Sequence, residues 1–272
     1  MMKIVSHGNQ IRRGKYKLHS KFSSAVNFYS GDSFAFVVDE RVGAGPLNIV
    51  LSCAALDPVR SLEIGNDIFY LNENRIPFKD TVLYDSNIHV GEIDKDSFRQ
   101  NIQILEKAVA EYSPPKSLAF LIDERRKIEF TSSFEIEYVG RFVNAIGIYL
   151  SDDFLTGIKM VKGLGSGLTP GGDDFNSGVL IALNLLQKVT NTGYTRPVDQ
   201  IYRAAIGKNR FTNAFLKCAA RGFVFEKFKQ LIQSLVDADK GEIINSTRRV
   251  LAMGDTSGAD QAVGFLFGLK RF

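Results

Sequence analysis

The chain has no tryptophan, only two cysteines, three histidines and seven prolines in 272 residues, and it lacks any long apolar run. Each scarcity excludes a class of protein. Cys53 and Cys218 lie far apart and outside any CxxC or Cys/His cluster, which argues against a disulfide scaffold or a zinc module. They read as buried thiols in a reducing compartment. No segment reaches the roughly 18 apolar residues that a membrane span needs. The opening MMKIVSHGNQIRRGKYKLHS has basic residues with no apolar stretch behind them, unlike a secretory signal. The expectation is a cytoplasmic protein with no membrane partner. His7, His19 and His89 have no patterned partners, so a structural or surface place suits them better than catalysis. There is no GxSxG elbow and no Walker A sequence. Net charge is a mild +4, with basic residues scattered through RRGKYK, ERRK, STRR and LKRF. A nucleic-acid binder would gather them into a stripe interleaved with aromatics, so no nucleic-acid partner is expected. A small anionic ligand suits this charge better.

What is present is an ordinary globular composition, 44% hydrophobic and 24% charged, long enough to build a core without staples. Residues 33–40, 47–53, 62–71 and 80–85 are short, β-branched or aromatic, and bounded by turn residues, as strands are. From residue 94 the period changes. Phe98, Ile102, Leu105 and Ala108 recur at helical spacing over 94–113, with Asp96 or Ser97 as the cap and Pro114 and Pro115 as the stop. One or two strands are expected in LAFLIDERRKIEF, followed by helices at 133–160, 174–189, 198–206, 212–221, 225–236, 241–252 and 258–270. The fold class is α+β: a β-rich N-terminal half, antiparallel sheet or small barrel, packed on a helical C-terminal half. The domains expected are 1–130 and 131–272, the second carrying the two loops described next.

GLGSGLTPGGDDFNSG (163–178) sets six glycines, a proline and two adjacent aspartates between helical runs. It aligns with GDTSGADQAVG (254–264), so that Thr169 matches Thr256, Asp174 matches Asp260 and Gly178 matches Gly264. Capping accounts for part of this: Thr169 before Pro170 suits a helix start, and Ser257 with Asp260 fits a capping box. Capping does not need Gly163, Gly165, Gly167, Gly171 and Gly172 within ten residues. Such density is expected where backbone turns with positive φ or approaches another group closely, and a helix start offers bare N–H groups to an anion. Asp173 and Asp174 would repel a phosphate unless Mg²⁺ or substrate N–H groups intervene. A two-carboxylate metal site at Asp173 and Asp174 is therefore one alternative. Facing glycines at 178 and 264 suggest that the two loops meet as one site. Of the other segments, NRFTNAFLKCAARGF (209–223) places Arg210, Thr212 and Asn213 at a helix start. GAGP (43–46) reads as a hairpin turn. NSTRRV (245–250) is similar to the Ser-Thr-Arg-Thr loop of transcarbamoylases, but it falls within a helical stretch and reads as a solvated face.

The two loops, about 80 residues apart, together resemble a bacterial domain-of-unknown-function family that includes AllH, a subunit of oxamate carbamoyltransferase. Its members carry a Gly-x-Gly-x-Gly-Leu-Thr-Pro-x-x-Asp-Asp segment and a Gly-x-Thr-Ser-Gly-x-Asp segment. Ser166 stands where proline is common, and Asp255 where histidine is common. The resemblance implies transfer of a carbamoyl group between carbamoyl phosphate and a small amide such as oxamate or oxalurate, in company with other subunits of a complex. No cofactor is required on that reading, with Mg²⁺ as an option. The expected catalytic residues are Asp173, Asp174 and Asp260. The expected substrate contacts are Gly167, Thr169, Gly171, Gly172, Thr256, Ser257, Gly258, Arg210, Thr212 and Asn213. A non-catalytic assembly subunit and a Mg²⁺-dependent phosphoryl-handling enzyme are the rival readings.

Overall fold

The computed structural model describes residues 3–52, 56–91, 93–190, 193–237 and 239–272; Cys53 lies outside them. The chain is 52% helical and 18% strand, with a curled nine-stranded sheet towards the N-terminus and helices filling the C-terminal half. It is an α+β protein. Two compact units are formed, one from residues up to Asn87 together with Val224–Glu226, the other from Ile88–Phe223 and Lys227–Phe272. The division thus falls ahead of the change near residue 130 that the sequence suggests, because the first helix belongs to the second unit.

The first unit contains β1 (Lys3–Gly8), β2 (Gly14–Lys21), β3 (Ala25–Ser30), β4 (Ser33–Asp39), β5 (Asn48–Ser52), β6 (Leu62–Ile64), β7 (Ile68–Leu71), β8 (Asn74–Pro77) and β9 (Val82–Tyr84). Their order in the sheet is β8-β7-β6-β2-β3-β4-β5-β1-β9. Ile4, Val26, Phe28, Val37, Ile49, Leu51 and Phe69, all fully buried, belong to one core cluster. Pairing is antiparallel except for β4 with β5 and β1 with β9. GAGP is therefore not a hairpin turn. Residues 40–47 join two neighbouring parallel strands, where a crossover usually takes a dozen residues or more. The Asp39 carboxylate starts the reversal by accepting from the Arg41 and Val42 amides, and Gly43 continues it at φ +86°. The stretch 62–71 is two strands rather than one, closed by the Gly65 amide donating to Ile68 O. His7 is structural: its ring packs on Phe69 and Phe78 and its Nδ1 bonds Thr81 Oγ1.

The second unit opens with α1 (Lys95–Tyr112), capped by Asp94, whose carboxylate accepts from the Asp96 and Ser97 amides, and not by Asp96 or Ser97 themselves. LAFLIDERRKIEF holds two 3₁₀ turns, Leu118–Leu121 and Glu124–Glu129, in place of strands. Asp123 caps the second turn through the Arg125 amide, and Arg126 donates to the carbonyls of Ala110, Ser113 and Pro114. These local polar contacts outweigh the apolar run. The expected helix 133–160 is two helices, α2 (Ser133–Leu150) with a Ser132/Glu135 capping box and α3 (Phe154–Val161) capped by Asp153. Then come α4 (Gly171–Thr190), α5 (Thr195–Ala205), α6 (Arg210–Ala220), α7 (Glu226–Asp237), α8 (Lys240–Leu251) and α9 (Ser257–Arg271). α4 is buried on every side over 171–183 and α9 over 258–266, as helices at the centre of a bundle must be. NSTRRV lies within α8, but only Asn245 and its two arginines face outward. Ser246 and Thr247 are fully buried, their hydroxyls bonded to Ile243 O. Burial pushes the Cys218 thiol up to about 12, so it is inert. No helix among the described residues is long and apolar enough to cross a membrane.

Candidate functional site

The glycines of the two motifs fall into two physical classes. Gly163, Gly165 and Gly167 have φ of +68°, +126° and +88°, and their residues are exposed; they let the α3–α4 loop reverse. Gly172, Gly178, Gly258 and Gly264 serve contact instead. A Cβ there would lie 1.7 Å from Val161 O, 2.0 Å from Gln261 O, 2.0 Å from Val250 O and 2.0 Å from Phe175 O respectively. At 178 and 264 the backbones of α4 and α9 touch, and the Gln261 amide donates to Ser177 Oγ beside them at 2.9 Å. That contact brings the two loops together.

The meeting point is polar. Thr169 Oγ1 and Ser257 Oγ are 2.9 Å apart, and both hydroxyls lie by the Asp174 carboxyl, opposing the rise that burial imposes on it. Asp260 accepts from the Leu118 amide at 2.7 Å and the Thr256 hydroxyl at 2.9 Å. The capping box expected of Ser257 and Asp260 is therefore not formed: α9 starts from Thr256 without a side-chain cap, because its hydroxyl is drawn to Asp260. Thr169 likewise spends its hydroxyl on Ser257, and the carbonyl of Pro170 takes the first amide bonds of α4.

Both aspartates are buried, Asp174 at 9% exposure and Asp260 at 2%. Desolvation is the main cause that raises the Asp174 carboxyl well above its ordinary value, with the nearby Asp260 charge second. Asp260 rises to about 7, again chiefly by burial. Asp174 Oδ2 has no hydrogen-bond partner among the described residues. Two buried carboxyls of like charge with one orphaned oxygen suit a pair that keeps a proton at neutral pH. The hydroxyls of Thr169, Thr256 and Ser257, half-buried, form the outer layer over that pair.

Asp173 faces elsewhere. It accepts from the Gly163 amide at 2.8 Å, and burial raises its carboxyl against the lowering by Gly163 and the nearby Thr212. The two adjacent aspartates thus have separate partners, and among the described residues no cluster of three or more His, Cys, Asp or Glu is arranged for a metal. Thr212 joins the loop as a buttress. Asn213 spends its amide on Gly207 N and O, closing the turn between α5 and α6, while Arg210 sits exposed at the α6 start. Two residues went unread in the sequence. Asn209 caps α6 through the Phe211 and Thr212 amides and donates to Leu168 O; Asn209→Ala should cost about 1–2 kcal/mol, seen as a lower urea midpoint at unchanged slope. Tyr138 on α2 brings its hydroxyl to the acid pair: a Cβ on Gly171 would lie 2.8 Å from Asp260 Oδ2 and 3.0 Å from Tyr138 Oη. Burial and then the two aspartate charges push this phenol up. A lone tyrosine on a helix facing the core carries no sequence signal for that place.

Residues 160–269 match the family described as oxamate carbamoyltransferase subunit AllH. No curated protein and no solved structure matches the chain. The matched segment contains both loops, both buried aspartates and the α4–α9 contact, so over residues 160–269 this chain is similar to the AllH family.

Proposed function

We propose that this chain is a subunit of an enzyme of the oxamate carbamoyltransferase type and that the paired loops form its substrate site. The observation that carries the reading is the coincidence of the family match with a buried acid pair beneath a glycine-rich, hydroxyl-lined loop. In carbamoyl transfer the amide nitrogen of oxamate attacks the carbamoyl carbon of carbamoyl phosphate. The C–N bond forms, the C–O bond to phosphate breaks, and phosphate leaves while the nitrogen gives up a proton. The Asp174–Asp260 pair, which holds one proton at neutral pH, takes up that proton on its ionised carboxylate, reached through the Thr169 and Ser257 hydroxyls. The exposed backbone at 165–167 is where an oxyanion or phosphate can be met by N–H groups, with Arg210 as the nearby cation. Oxalurate and phosphate react in reverse at the same place. The reading needs no metal and assigns the other subunits to the remainder of the complex.

A thermal-shift series with carbamoyl phosphate, oxamate, oxalurate, nucleotides and Mg²⁺ tests this. A ligand at about a hundred times its Kd should raise the melting temperature on the order of 5 °C. A metal-independent response to carbamoyl phosphate or oxalurate is expected. A response only to nucleotide with Mg²⁺ would favour phosphoryl handling, and no response to any of them would favour an assembly role.

A further inference from the structure

Tyr138 is held at the acid pair by packing rather than by bonding. Its ring stacks on Phe130 at 6.1 Å and meets Phe142 edge-on at 4.8 Å, which clamps the phenol from two sides. Among the described residues its hydroxyl has no hydrogen-bond partner. Burial, and then the charges of Asp260 and Asp174, raise it, so it keeps its proton at neutral pH and can donate. Asp260 Oδ2 and Tyr138 Oη lie 2.8 and 3.0 Å from the place a Cβ on Gly171 would take. Glycine there leaves the two oxygens facing one space. Gly171 opens α4, and Asp174, three residues on, stands on the same face of that helix.

Asp174 supplies the independent observation. It is only 9% exposed, yet its Oδ2 has no partner among the described residues. A buried carboxyl oxygen left in that state destabilises the fold, and a ligand that donates to it removes the penalty. The acid pair is thus bordered by an acceptor without a donor and a donor without an acceptor. A carboxamide or ureido group has the matching pair, an N–H and a carbonyl oxygen. A carboxylate in the same place has no proton to give and adds a charge beside carboxyls that already carry one.

We infer, on the reading of the paired loops as a carbamoyl-transfer site, that Tyr138 is a catalytic and specificity-determining residue. Its hydroxyl donates to the carbonyl oxygen of the acceptor amide, while Asp174 Oδ2, past the Thr169 and Ser257 hydroxyls, accepts the N–H of the same group. As the amide nitrogen passes its proton to the ionised carboxylate and bonds to the carbamoyl carbon, electron density grows on the amide oxygen. A donor fixed there favours the transition state over the ground state. Tyr138 keeps its own proton, so the bonds made and broken are those of the transfer itself.

Steady-state rates of the enzyme assembled with its other subunits, at pH 8, test this. Tyr138→Phe keeps the ring between Phe130 and Phe142, so helical circular dichroism and melting temperature should stay close to wild type. The variant's kcat should fall about 10²–10³-fold, with KM for carbamoyl phosphate unchanged. Oxalate, the carboxylate counterpart of oxamate, should bind the wild type at least about a hundredfold more weakly than oxamate. A variant with the wild-type kcat, one altered only in KM for carbamoyl phosphate, or oxalate inhibiting as tightly as oxamate binds would overturn the role of Tyr138 while leaving carbamoyl transfer in place. A wild-type complex that transfers no carbamoyl group would overturn both.

Discussion

Gly264→Ala should destabilise the helical unit by on the order of 4 kcal/mol or more, enough to leave the protein poorly folded at 37 °C. The added methyl would sit 2.0 Å from Phe175 O and 2.7 Å from Phe175 C, and these are backbone atoms of a buried helix that no rotamer change can move. Relief requires α4 and α9 to part. Parting them breaks the Gln261–Ser177 bond and opens a gap between two helices whose facing residues are otherwise fully buried. Gly178→Ala, facing Gln261 O at 2.0 Å, should behave alike. Gly163→Ala is the control: its φ is positive but the space around it is open, so a cost of about 1 kcal/mol is expected. Denaturant midpoints for the three variants sort the contact glycines from the turning ones. Equal, small losses at 163 and 264 would contradict the backbone contact between α4 and α9.

Asp174→Asn should do the opposite to stability while removing activity. The sign follows from the shifts. Asp260 holds its proton to about pH 7 in the folded protein against an ordinary 3.8, so between those values the folded chain binds a proton that the unfolded chain has lost. Stability therefore falls as pH rises from about 4 to about 7, by up to about 4 kcal/mol for this group, and Asp174 acts in the same direction. Asparagine at 174 keeps the shape, can accept and donate to the Thr169 and Ser257 hydroxyls, and carries no charge. The variant should melt higher than wild type at pH 8, show a flatter pH dependence, and lose about 10³-fold in carbamoyl transfer if Asp174 takes the proton. A variant less stable than wild type at pH 8 would make Asp174 a structural cap, and one with the wild-type rate would remove it from the chemistry.

The sequence and the fold agree best where periodicity and breakers coincide. The helices from 174 onward were legible because their apolar faces recur at helical spacing between Gly, Asn and Asp caps. The meeting of the loops was legible because Gly178 and Gly264 stand at matching places in two similar segments. What failed to show had tertiary causes. LAFLIDERRKIEF reads as strand by composition, yet the Asp123 cap and the Arg126 bonds to the end of α1 turn it into 3₁₀ structure. β4 and β5 pair in parallel because the Asp39 carboxylate and Gly43 reverse the chain twice within a short loop, which spacing alone does not reveal. Gly172 and Gly258 are expected as substrate contacts, whereas close approach to the backbone of Val161 and Val250 accounts for both. Tyr138 entered the site only through the packing of α2 against the start of α4.

Hydrogen exchange of the loop amides with and without ligand tests the central claim most directly. In the complex assembled with its other subunits, carbamoyl phosphate or oxalurate should slow exchange in residues 163–172 and 254–260 together, and Asp174→Asn should abolish both effects. Protection confined to one loop, or found only elsewhere in the chain, would contradict a single site built from the two.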